Sequence, residues 1–104
     1  MYRQRIHITV KDIDGWNTIL DVVKQMNAVS TRLNQPTATA WTLSVGIFNE
    51  IVVEVDYTSL AEFEASQKVM NSDADMRKQI KRVNDVAAEG KGWSELLETA
   101  DAVG

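Results

Sequence analysis

Cysteine is absent from the 104 residues, which excludes a disulfide scaffold, a thiolate metal site, a cysteine nucleophile and an iron–sulfur cluster. Histidine occurs once, as His7, so one chain cannot build a multi-histidine metal site. Proline also occurs once, as Pro36, and the five glycines (Gly15, Gly46, Gly90, Gly92, Gly104) are scattered rather than gathered into a phosphate-binding loop. No apolar run approaches the roughly 20 residues that span a bilayer, and the N-terminal residues lack a signal peptide's apolar stretch. Basic side chains are outnumbered 11 to 15, and the net charge of −4 disfavours general affinity for nucleic acid or an anionic membrane. The expectation is a cytoplasmic protein without metal, cofactor, nucleic acid or membrane among its partners.

What remains is an ordinary globular composition, 44% hydrophobic and 25% charged. The length fits one domain over residues 1–104, burying roughly two-thirds of its unfolded surface.

Residues 2–10 alternate, with Gln4, Ile6, Ile8 and Val10 on one side and Arg3, Arg5, His7 and Thr9 on the other, as in a half-buried strand. Asp14 is the expected N-cap of the helix that follows. From Trp16 to Leu33, residues Trp16, Ile19, Leu20, Val23, Met26 and Leu33 form an apolar stripe at helical spacing. Pro36 disfavours helical geometry just before it, so the helix should stop by Asn34.

Residues 38–48 alternate again. The row Trp41, Leu43, Val45 and Ile47 is expected to face the core, and the row Thr42, Ser44, Gly46 and Phe48 to face away. A third strand over 51–57 places Ile51, Val53, Val55 and Tyr57 on one face. Ser59 and Glu62 form a capping box that opens a second helical region. Asn71-Ser-Asp interrupts that region, and a further segment runs from Ala74 to Ala88 before Gly90 and Gly92. Residues 93–103 have local helix propensity, but the order of elements favours a short fourth strand that pairs with the first and protects its edge.

Strand, helix, strand, strand, helix, strand is the order of a ferredoxin-like βαββαβ α+β fold: an antiparallel sheet with its helices on one face. The open face would carry Arg5, His7, Thr9, Thr42, Ser44, Gly46, Phe48, Val52 and Glu54. Hydroxyls, a glycine and scattered charges suit a lined cavity for a small apolar or aromatic molecule, and equally suit a plain solvated face.

The run Asp56-Tyr57-Thr58-Ser59-Leu60-Ala61-Glu62-Phe63-Glu64, followed by Asn71-Ser72-Asp73-Ala74-Asp75, resembles the third-strand-to-second-helix junction of the dimeric α+β barrel superfamily, nearest to NIPSNAP-like and small uncharacterised bacterial members. The resemblance implies a homodimer whose sheets pair across a two-fold axis, and a cavity. It implies no single reaction, because the superfamily includes cofactor-independent monooxygenases, haem-degrading enzymes and isomerases. A haem-degrading member would carry a histidine on the second helix, and none stands there.

The candidate ligand-binding residues are therefore Arg5, His7, Thr42, Ser44, Phe48 and Glu54. His7 is the best candidate for a catalytic general base in a cofactor-independent enzyme, with Arg5 or Glu54 orienting it. The competing role is a cross-strand ion pair of Arg5 with Glu54 beside an incidental histidine. Trp93 would line a cavity mouth, a subunit contact or the core. Arg77, Lys78, Lys81 and Arg82 read as a solvated helix face paired with nearby aspartates. The open face lacks the stacking aromatics and the basic-Gly-aromatic run of an RNA-recognition domain.

Overall fold

The structure is a computed structural model that describes residues 1–43 and 49–100. Its elements follow in the order β1 (Tyr2–Thr9), α1 (Ile13–Arg32), β2 (Ala38–Thr42), β3 (Glu50–Tyr57), α2 (Leu60–Ser72), α3 (Ala74–Val86) and β4 (Trp93–Glu98). The four strands form one antiparallel sheet ordered β2-β3-β1-β4. This is the ferredoxin-like α+β architecture expected, with residues 93–98 as the strand that covers the free edge of β1.

Local chemistry sets the element ends. Asp12, not Asp14, caps α1, its carboxylate accepting from the Gly15 N–H at 2.8 Å. Lys11 and Asp12 leave the strand early, so the helix gains most of a turn ahead of the apolar stripe. Gly15 fits closely there: a Cβ at that position would come within 3.3 Å of the Val10 Cβ and 3.4 Å of the Val86 Cβ. At the far end Asn34 takes a left-handed φ of 61°, which stops the helix before Pro36. Ser59 caps α2 by accepting from the Glu62 N–H at 3.0 Å, and the Glu62 carboxylate accepts in return from the Thr58 N–H. Asp73 ends α2 and caps α3, accepting from the N–H groups of Asp75 and Met76.

The core lies between the sheet and α1. Ile8, Val10, Ile51 and Val53 from the strands meet Ile19 and Val23 of the helix, with Ile19 and Ile51 fully buried. Val22 and Val29 are buried as well, whereas Leu20 is partly exposed. The stripe of α1 is thus rotated slightly from the expected one.

The facing of β2 is reversed from the expectation. Its register pairs Ala38 with Val55, Ala40 with Val53 and Thr42 with Ile51. Directly paired residues share a face, so Ala38, Ala40 and Thr42 lie on the helix side. Trp41 lies opposite Val52 on the open face, 53% exposed. The cause is a clamp from α1. The Asn27 side chain accepts from the Ala38 N–H at 2.7 Å and donates to the Ala38 carbonyl at 2.9 Å, which fixes the strand's start beneath the helix. Counting large apolar residues pointed to Trp41, but the small alanines are what packs there. The expected positions of Ser44, Val45, Gly46, Ile47 and Phe48 lie outside the described residues.

Candidate functional site

The two faces of the sheet offer different chemistry. On the open face, strand register lines up Trp41, Val52, His7 and Trp93 across all four strands. Beside that row lie Thr39, Glu54, Arg5 and Glu95. Arg5 donates from Nε to Glu54 Oε2 at 2.7 Å and from Nη1 to Glu95 Oε1 at 3.5 Å. The same Glu95 oxygen lies 3.4 Å from His7 Nε2, and His7 Nδ1 lies 2.8 Å from Glu50 Oε1. The His7 ring stacks on the Trp93 indole, with centroids 3.7 Å apart and planes 7° from parallel. Arg3 grips Asp56 with two nitrogens, at 2.7 and 3.1 Å. That guanidinium holds the Asp56 carboxyl below the usual carboxylate range.

The candidate residues separate accordingly. Arg5, His7 and Glu54 share the open face, and the Arg5–Glu54 pair is present. His7 turns to Glu50 and Glu95 instead of Glu54. Thr42 stands on the opposite side of the sheet, in the row with Ala38 and Ala40. Ser44 and Phe48 lie outside the described residues. A general base must present a free lone pair to its substrate. Here each ring nitrogen addresses a carboxylate and one ring face is covered by Trp93. Sequence reasoning missed Glu50 and Glu95. A signal for Glu95 existed in its place two residues after Trp93, which puts both side chains on one strand face.

A shallow polar depression lies at the β2 side of the open face, walled by Arg3, Thr39, Trp41, Glu54 and Asp56. Among the described residues, no group of three or more His, Asp or Glu side chains is placed to hold a metal ion.

An apolar, partly open cavity is on the other side. A space of about 260 Å³ lies between the sheet and the three helices. Ile6, Ile8, Val53 and Val55 form its floor, Val22, Val23 and Met26 one wall, and Met70, Met76 and Ile80 another. Among the described residues, none of those around it carries a charge. At one end stand Gln4, Tyr57, Ser66 and Gln67. The Tyr57 hydroxyl donates to Gln4 Oε1 and accepts from Gln67 Nε2, each at 3.4 Å. Burial pushes the Tyr57 phenol above its ordinary pKa, so it stays a neutral donor. Phe63 meets the Tyr57 ring edge-to-face at 5.2 Å and fixes its plane.

With this architecture in view, the chain can be placed among known proteins. No protein-family model matches it, and a search of curated proteins finds no match. Solved structures do match. A NIPSNAP domain protein from Burkholderia xenovorans superposes with a TM-score of 0.75 at 13% identity, over 100% of this chain and 99% of the other. A NIPSNAP family protein from Agrobacterium tumefaciens gives 0.73 at 12% identity, over 96% of this chain and 86% of the other. A putative antibiotic biosynthesis monooxygenase from Nitrosomonas europaea gives 0.71 at 14% identity, over 95% and 98%. The chain has the ferredoxin-like fold of the NIPSNAP and antibiotic biosynthesis monooxygenase proteins. The junction at 56–64, from the end of β3 into α2, was the sequence feature that pointed there. In this NIPSNAP-type fold that junction carries Tyr57 into the cavity. No described helix is long and apolar enough to cross a membrane.

Proposed function

We propose that this is a cytoplasmic small-molecule-binding protein that holds an apolar or aromatic ligand in the cavity between helices and sheet, and works as a homodimer. The observation that carries this is the cavity itself: about 260 Å³, lined mostly by apolar side chains and, among the described residues, by no charged one, with Gln4, Tyr57, Ser66 and Gln67 grouped together. That is the make-up of a ligand site rather than of a packing flaw. The expected location on the open face gives way to this one because the depression there is walled by the charged Arg3, Glu54 and Asp56, which do not suit an apolar ligand. The dimer reading rests on Trp41 and Trp93, each about half exposed on the open face. A two-fold partner laid on that face would bury both indoles.

The enzymatic alternative is a cofactor-independent monooxygenase or isomerase with His7 as base. The antibiotic biosynthesis monooxygenase fold favours it by likeness only. His7 points away from the cavity, so it cannot serve a reaction there.

The test is an NMR titration of the 15N-labelled chain with naphthalene. Amides of Val22, Val53, Met70 and Ile80 shift and those of Arg5 and His7 do not. An unperturbed cavity, or shifts confined to the open face, overturns the reading. Light scattering giving a mass near 11.6 kDa at micromolar concentration overturns the dimer.

A further inference from the structure

Among the described residues, no arginine, lysine, histidine or carboxylate borders the space. An ionised ligand there would be stripped of water with no opposite charge to meet it. Of the polar residues around the space, Asn71 and Asn84 are exposed to solvent. Asn27, on the wall, spends both ends of its amide on the Ala38 backbone.

Tyr57 is different. It is 4% exposed, and its hydroxyl is held by two long contacts, from Gln67 and to Gln4, both at 3.4 Å. A phenol oxygen has one hydrogen and two lone pairs. Gln67 donates to the oxygen, Ser66 also stands against it and Gln4 receives the hydrogen, so the hydrogen is what the phenol can offer a ligand. A ligand oxygen that displaces the long Gln4 contact takes the hydrogen instead. Size sets the other limit. A 150 Å³ apolar cavity accommodates benzene, so about 260 Å³ accommodates a molecule of one to two rings.

We propose that the cavity selects an uncharged molecule of one to two rings bearing a hydroxyl or carbonyl oxygen, and that Tyr57, set between Gln4 and Gln67, is the residue that selects that oxygen. This rests on the cavity being the ligand site.

Calorimetric titration of the full chain at neutral pH with naphthalene, 2-naphthol and 2-naphthoate tests it. Naphthalene reads the cavity alone. 2-Naphthol binds about five- to tenfold more tightly than naphthalene, the effect of one net hydrogen bond. 2-Naphthoate binds at least a hundredfold more weakly than 2-naphthol. Tyr57→Phe brings 2-naphthol down to the affinity of naphthalene and leaves naphthalene unchanged. Gln67→Leu, which leaves the core aromatic in place, narrows the same preference and gives an independent reading should Tyr57→Phe not fold. Binding of naphthalene with no preference for 2-naphthol, or 2-naphthoate binding as tightly as 2-naphthol, overturns the selectivity and leaves the cavity reading standing. Equal weakening of both neutral probes by Tyr57→Phe also overturns it, since the ring would then act by packing. Failure of all three probes to bind the wild-type chain overturns the cavity reading and the selectivity together.

Discussion

On the helix side of β1, Ile6 and Ile8 look into an aliphatic layer completed by Val53, Ile51 and Ile19. On the other side of the same eight residues, Arg3, Arg5 and His7 meet Asp56, Glu54, Glu50 and Glu95. One face gains its stability from area removed from water, which is non-directional and tolerates a cavity. The other gains it from oriented pairs, each of which fails when one member is removed. The contrast assigns roles: the forgiving face has room for a ligand, and the exacting face fixes strand register.

The largest expected effect comes from the apolar face. Ile51→Ala, at a fully buried position, lowers stability by about 2–5 kcal/mol in urea denaturation. A loss no larger than that of an open-face substitution would mean the layer between sheet and α1 is not the core.

His7→Gln breaks the open face at its centre. The cost is about 1 kcal/mol, because Glu50 and Glu95 lose their shared partner while Ile6 and Ile8 keep their packing. Naphthalene affinity is unchanged. A variant with full stability but altered ligand binding would restore His7 as a functional base.

Acid compares the faces differently. The Asp73 carboxyl is held low first by Arg32 of α1, then by the Met76 N–H, and the Asp56 carboxyl by Arg3. A carboxyl with a lowered folded pKa contributes stability that is present above its unfolded value, near 4, and lost as pH falls through the folded value. Denaturation midpoints therefore fall below about pH 4. Asp73→Asn removes more of this acid dependence than Asp56→Asn, since Asp73 also caps α3. Equal slopes for the two variants would show that the cap adds nothing.

The smallest expected effect is Trp41→Thr. At concentrations too low for association it changes stability by no more than about 0.5 kcal/mol, the usual range for a surface position. At micromolar concentration the same variant loses the dimer by light scattering. A large loss in the monomer would mean the indole already packs within one chain.

The order of elements was legible because β1, β3 and α1 each bury one side, so their periods stand out. The cap at Ser59 and the break at Asp73 were legible because they depend on side chains a few residues apart. The facing of β2 was not. Both rows of Ala38-Thr-Ala-Trp-Thr contain apolar residues, and the deciding contact comes from Asn27, eleven positions upstream. The cavity was hidden for a related reason: its walls come from every helix and most strands, and no local spacing encodes a space between them. Glu95 escaped notice because its partners Arg5 and His7 stand about 90 positions away.

The pairing of Tyr2 with Glu98 has a consequence for how the chain reaches this state. β1 is made first and lies in the middle of the sheet, yet its second neighbour comes from the far end of the sequence. The loop that must close is nearly the whole chain, the most expensive closure the topology contains in entropy. The strand that pays for it has just six residues, most of them exposed. The bridge of Val10 with Ala87 and the bond from the Ala88 N–H to the Thr9 carbonyl shorten that closure, because they hold the chain just ahead of β4 against the end of β1, next to where Trp93 stacks on His7. The indole of Trp93 thus stands as a native reporter of the contact between the chain's two ends, distinct from the burial of Ile19 and Ile51 in the core.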